Sequence, residues 1–148
     1  MGLPLVTKKR VIEQLEREEI SYSEENDITV AIYFSDVFMR IIVHETYVRI
    51  YGCWRGILSS PEDIEQGLYV VNEANNSSVA PKWILSRIKN DPTDRCISLE
   101  ITHLTGRGMT DIQLKTHLLT SISIIFWEIK KLAEKFPHLV TWETGEEN

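Results

Sequence analysis

The chain has 148 residues, 43% of them apolar and 26% charged, with a net charge of −6, enough for one globular body that buries roughly two-thirds of its unfolded surface. Nucleic-acid binding needs clustered Lys and Arg, and the densest such cluster is the triplet Lys8, Lys9 and Arg10, so the acidic balance speaks against it. The most apolar window, residues 122–129, is far shorter than the about 20 residues that cross a bilayer, and the two cysteines, Cys53 and Cys96, show no metal-ligand spacing with each other or with histidine.

No metal and no cofactor are therefore expected. The N-terminus "MGLPLVTKK" lacks the apolar core of a secretion signal, and two lone thiols suit a reducing compartment, so the expected location is the cytoplasm. One domain over residues 1–148 is expected, with a flexible acidic tail at 143–148.

The first element is a helix running to Glu19. Thr7 caps it, and Val6 and Val11 flank the cap as a hydrophobic staple. Its first turn carries Lys8, Lys9 and Arg10, although the helix dipole favours acids there. Three alternating runs follow at 29–34, 37–44 and 46–54, joined by links short enough for hairpins. They read as an antiparallel meander with Val30, Ile32, Phe34, Met39, Ile41, Val43, Val48 and Ile50 on its core face.

Ser60, Pro61, Glu62 and Asp63 have the chemistry of a helix start. That helix is expected over 61–75, with Ile64, Leu68 and Val71 as its apolar stripe. Runs at 81–89 and 95–103, separated by the turn residues "NDPTD", read as a two-stranded hairpin. Thr110 then caps a long last helix. Its series Leu118, Ile122, Ile125, Ile129, Leu132 and Phe136 recurs every three or four residues. Ile124, Phe126 and Trp127 lie off this stripe, which predicts a second contact surface made by another element or another subunit.

The outer face of the meander carries Tyr33, Phe38, Arg40, Ile42, Tyr47, Arg49 and Tyr51, together with His44 and Cys53. Tyr and Arg are enriched where proteins bind one another. This face is a candidate protein-binding surface, covered by an unidentified partner, by the second subunit of a homodimer or by a further helix.

The order of helix, three strands, helix, two strands, helix defines an α+β chain. With the stretch "VVNEANN" before the Pro-containing strand start "APKW", it resembles the YbjN-like family, associated with bacterial sensory transduction regulation. That family is similar in fold to the dimer-forming type III secretion chaperones. The resemblance spans about residues 5–136, and Asn72 and Asn75 match the family's Val-Asn-x-x-Asn arrangement. The sequence departs from it at Glu16–Glu19, where many members close the first helix with Gly. The resemblance implies a non-enzymatic, cytoplasmic, chaperone-like adaptor in bacterial regulation and carries over no catalytic activity.

Asn72, Asn75 and Asn76 admit two readings. Asn tolerates the left-handed conformation that ends many helices and can satisfy unpaired backbone groups, with Asn72 tying the helix to the next strand. Alternatively Asn72 and Asn75 line the polar pocket of a small-molecule sensor. Catalytic groups are sparse. His44 and Cys53 share a face, but pairing places His44 opposite Tyr47, several residues from Cys53. His103 reads as a satisfied boundary histidine, Glu62, Asp63 and Glu65 as helix-start acids, and "TGRGMTD" as a tight turn rather than an anion site. No enzyme is expected.

Overall fold

The computed structural model describes residues 2–143, so all of the expected acidic tail except residue 143 lies outside them. Helix α1 (Lys8–Arg17) precedes strands β1 (Ser23–Glu24), β2 (Thr29–Tyr33), β3 (Val37–Val43) and β4 (Tyr47–Trp54). Helix α2 (Pro61–Ser77), strands β5 (Lys82–Arg87) and β6 (Arg95–Leu104), helices α3 (Asp111–Ile129) and α4 (Lys131–Lys135), and a 3-10 turn (Pro137–Leu139) follow. The α+β architecture matches the sequence reading, but meander and hairpin are one sheet. Its order is β1-β2-β3-β4-β6-β5, antiparallel throughout.

Joining the two halves are the pairs Tyr47↔Leu104, Ile50↔Ile101 and Cys53↔Ser98. Strand β1 escapes sequence reading because its two residues are both exposed, which leaves no apolar alternation to detect.

Helix α1 ends at Arg17, two residues before the expected Glu19. Glu19 takes a left-handed φ of 56°, and its N–H donates to Glu16 while that of Ile20 reaches back to the Leu15 carbonyl. This is the closing pattern that Gly usually serves, here with Glu at the glycine position. The unfavourable first-turn bases have other partners. Arg10 donates to the carbonyls of Pro4, Leu5 and Met109 and to Asp111, tying the N-terminal segment to the start of α3, and Lys8 pairs with Glu24.

Helix α2 runs two residues past the expected end, to Ser77. Its stripe also differs, because Leu68 is 57% exposed while Gly67 and Val70 are buried. Small Gly67 sets the inward face: a Cβ there would stand 2.5 Å from the Leu58 side chain, so the backbone packs directly on Leu58. The last helix breaks at Lys130 into α3 and α4. Its stripe nonetheless continues, with Leu118, Ile122, Ile125, Ile129, Leu132 and Phe136 all buried. Off the stripe, Phe126 meets Phe34 edge-on at 4.9 Å, and Trp127 stays 63% exposed.

All three main helices cover the same face of the sheet. Val37, Met39, Ile41, Val48, Ile50, Trp54, Ile97 and Leu99 point into that layer with Val11, Leu15, Val70 and the α3 stripe. Close approach of α3 to β4 requires Gly52, where a Cβ would lie 2.6 Å from Ile125 and 2.9 Å from Val37. Gly52→Ala is expected to lower the unfolding free energy by about 1–3 kcal/mol through overpacking, read from the midpoint of a urea titration; an unchanged midpoint would show that the layer absorbs the methyl group.

Candidate functional site

Because the helices occupy one side, the other side of the sheet is left open, and pairing register assembles it. Phe38 stands between Tyr33 and Cys53, Arg40 beside Tyr51, and Arg49 between Ile42 and Thr102. The structure thus brings Tyr33, Phe38, Arg40, Ile42, Tyr47, Arg49 and Tyr51 onto one surface, as their alternation predicts. Tyr33 is 65% exposed and the others are half-buried against one another.

The two arginines are held rather than free. Arg40 donates to Glu25 at 2.8 Å and to the Tyr51 hydroxyl at 2.7 Å, with its guanidinium 4.4 Å from the Phe38 ring centre. Arg49 pairs with Glu100 and lies 4.9 Å from the Tyr51 ring centre. His44 stacks on Tyr47 at 4.3 Å. The face is therefore an aromatic lattice whose cations are neutralised from within. Glu25 and Glu100 were missed from sequence because one lies between strands and the other belongs to β6, whose pairing with β4 is non-local.

Two thiols complete this face. Cys53 faces Ser98 across β4 and β6, and Cys96 lies two residues from Ser98 on the same side. Both are free and half-buried. The Cys53 thiol donates to the Trp54 carbonyl at 3.6 Å, and its ionisation is pulled down to about 7, chiefly by Cys96 and further by Ser98 and Arg40, against burial that pushes it up. Cys96 is pushed up by the same interaction and by burial.

At the end of α2 the two asparagine positions separate. Asn75 accepts from the Trp83 N–H at 2.9 Å and donates to the Trp83 carbonyl at 2.9 Å, so it performs the helix-to-strand tie expected of Asn72. Asn72 is exposed. Neither takes a left-handed conformation, and the helix closes on extended Ser78, three residues past Asn75. The expected left-handed helix end is thus corrected, while the satisfaction of backbone groups at the junction falls to Asn75. Asn75 is engaged by strand β5, whose start needs a partner for its outward backbone groups.

A cleft of about 200 Å³ lies nearby, lined by Tyr69, Glu73, Ala74, Trp83, Glu128 and Lys135 among others. Asn72 and Asn75 do not line it. Arg107 and the "TGRGMTD" turn offer little to an anion. The Gly108 N–H donates to Thr105 and that of Met109 to Pro4, while Thr110 and Gln113 satisfy each other in a capping box.

Histidines elsewhere have structural partners. His103 contacts the hydroxyl of buried Ser121 at 2.8 Å, and its ring lies 4.4 Å from that of His117. Ser121 is 1% exposed, out of reach of any substrate. His138 joins Asp63 at 2.8 Å, a contact that gives Asp63 a role beyond its place in the first turn of α2. Among the described residues, no group of three or more His, Cys, Asp or Glu is placed to hold a metal ion, and no helix is long and apolar enough to cross a membrane.

No family model and no curated protein matches the chain. Among solved structures, the crystal structure of YbjN from E. coli, a candidate transcription regulator, superposes with a TM-score of 0.71. The match covers 89% of this chain and 97% of that one at 14% identity. The chain has the YbjN fold. At that identity the likeness fixes the course of the backbone, so the side chains of the open face must be read from this structure alone. Within the YbjN fold, the tie from Asn75 to Trp83 locks the end of α2 to the start of β5.

Two expected outcomes follow from these contacts. Asn75→Ala orphans two backbone groups of buried Trp83 and is expected to cost about 1–3 kcal/mol, whereas Asn72→Ala stays within about 0.5 kcal/mol of the parent. Chemical denaturation of both variants checks this, and equal effects would overturn the assignment. His103 is held below the ordinary histidine value of 6.5, first by burial and then by His117. The folded protein thus binds fewer protons there than the unfolded chain. The resulting stability is complete above pH 6.5 and is lost as pH falls from that value through the lower folded one. Melting curves across this window should show a slope that His103→Gln flattens; parallel slopes would count against it.

Proposed function

We propose that this protein is a non-enzymatic regulatory module that captures a protein segment on the open face of its sheet. The observation that carries this reading is one-sided coverage. Every main helix packs against the core face, which leaves Tyr33, Phe38, Ile42, Tyr47 and Tyr51 on a surface without a covering layer among the described residues. Aromatic side chains supply large contact area at low ordering cost, and guanidinium groups stacked on them are pre-organised.

Since Arg40 and Arg49 already have carboxylate partners, the segment that fits is apolar or aromatic rather than acidic. YbjN is a candidate transcription regulator, and a regulatory role for this chain agrees with that neighbour. A sequence pI of about 5.2 favours action through protein contacts rather than direct contact with nucleic acid. A cytoplasmic location and a homodimer, whose second copy would leave part of this face accessible, belong to the same proposal.

A second reading, a small-molecule sensor, is favoured by the cleft between α2 and α3–α4. Trp83 and exposed Tyr69 offer it aromatic surface. Its volume of about 200 Å³ is below the roughly 300–1,000 Å³ of most ligand pockets, which is why it ranks second.

Crosslinking of tagged protein in its source cells separates the two. Tyr47→Ser combined with Tyr51→Ser is expected to abolish partner capture while circular dichroism and melting temperature stay near those of the parent, and Tyr69→Ser is expected to retain capture. Capture unchanged by the double substitution would remove the open face from consideration, and loss only in Tyr69→Ser would move the site to the cleft.

A further inference from the structure

We infer that Cys53 and Cys96 form a peroxide-reactive dithiol, in which Cys53 is the attacking thiol and Cys96 resolves the oxidised intermediate into an intramolecular disulfide. The inference rests on the arrangement of the two thiols and does not depend on what the open face captures.

The register places both side chains on the same side of the sheet. Cys53 is paired with Ser98, the last pair of the β4–β6 ladder, and Cys96 is the diagonal neighbour two residues along β6. Each thiol is the leading influence on the other's ionisation, in keeping with their place as same-side neighbours. Diagonal positions lie roughly 7–8 Å apart at Cα, slightly beyond the usual span of a disulfide, roughly 4.4–6.8 Å. Bond formation therefore has to draw the strands together by about an ångström. The β4–β6 ladder ends at this pair, and beyond it Arg95 of β6 is held by Leu58 and by Arg87.

Division of roles follows from the surroundings. Cys53 donates to the Trp54 carbonyl at 3.6 Å when protonated, while Cys96, Ser98 and the positive field of Arg40 each favour its thiolate, the nucleophilic form. It also lines a groove of about 460 Å³ with Tyr33, Phe38, Arg55 and Ile57, which gives a small oxidant a path to the sulfur. Cys96 is pushed up by Cys53 and by burial, and the part owed to the Cys53 thiol ends once Cys53 has become a neutral sulfenic acid, which frees Cys96 to act as the resolving thiol.

In the first step the Cys53 thiolate attacks one oxygen of the peroxide. The O–O bond breaks, Cys53 becomes a sulfenic acid, and the leaving hydroxide takes up a proton to give water. In the second, Cys96 sulfur attacks Cys53 sulfur as its proton is lost. The S–S bond forms, and the sulfenic hydroxyl departs with that proton as a second water. Two thiols and one peroxide thus yield one disulfide and two waters, the thiols supplying both electrons.

Treatment of the full, reduced chain with hydrogen peroxide, followed by alkylation and intact-mass measurement, tests this. The expected result is loss of both alkylatable thiols, a mass lower by the two thiol hydrogens, a Cys53–Cys96 peptide on mapping, and full recovery with dithiothreitol. In Cys96→Ser, dimedone should trap the sulfenic acid at Cys53, and in Cys53→Ser, Cys96 should remain fully alkylatable. Retention of both thiols in the parent chain, a disulfide between two chains, or separate over-oxidation of each sulfur would overturn the dithiol. Equal reactivity of the two single variants would overturn the assigned roles.

Discussion

Everything that distinguishes the two sides of this protein depends on the antiparallel pairing of β4 with β6. Those strands are separated by a helix and a further strand, so their ladder closes a long loop and is a non-local commitment of the chain. Without it, a meander and a hairpin would each expose half of a core face. With it, Ile50 and Gly52 meet Ile101 and Leu99, and α3 finds a continuous apolar floor. The same ladder brings Glu100 to Arg49 and Cys96 near Cys53.

A floor of this kind has room for helices on one side only, because the opposite side chains belong to another class. Val, Ile, Leu and Met alternate with Tyr, Arg, Thr and Cys along β3, β4 and β6. The helical layer seals the first set. In the second set, the side chains shelter one another: Arg40 lies over Phe38 and bonds Tyr51, and Ala31, opposite Arg40, is fully buried although no helix covers it. The open face is thereby stiffened by its own contacts. Fixed side chains lose less freedom on association.

Much of this was legible in the residues. The period of two in residues 37–54 fixed which side chains share a face, and the α3 stripe through Phe136 identified the buried side of the last helix even though the helix breaks at Lys130. What escaped was decided by distance along the chain or by size. Strand β1 is too short to show alternation. Leu68 reads as core by hydrophobicity, but Gly67 draws the backbone of α2 down onto Leu58 and turns Leu68 outward. Of the two asparagines matched to the YbjN pattern, only coordinates tell which one reaches Trp83. The proximity of the two cysteines required the neighbour relation of β4 and β6, which no local pattern encodes.

The Asn75 amide presents the same donor and acceptor as a peptide unit, and both engage the backbone of Trp83. It therefore behaves as a single residue of a seventh strand beside β5. An outermost strand is a template on which another chain can pair and continue the sheet, and proteins suppress this with short, charged or covered edges. Here the second residue of β5 is engaged by a side chain of the preceding helix, and the far margin, β1, is only two residues long. Growth by strand addition is discouraged at both margins, which leaves the faces of the sheet as its accessible surfaces.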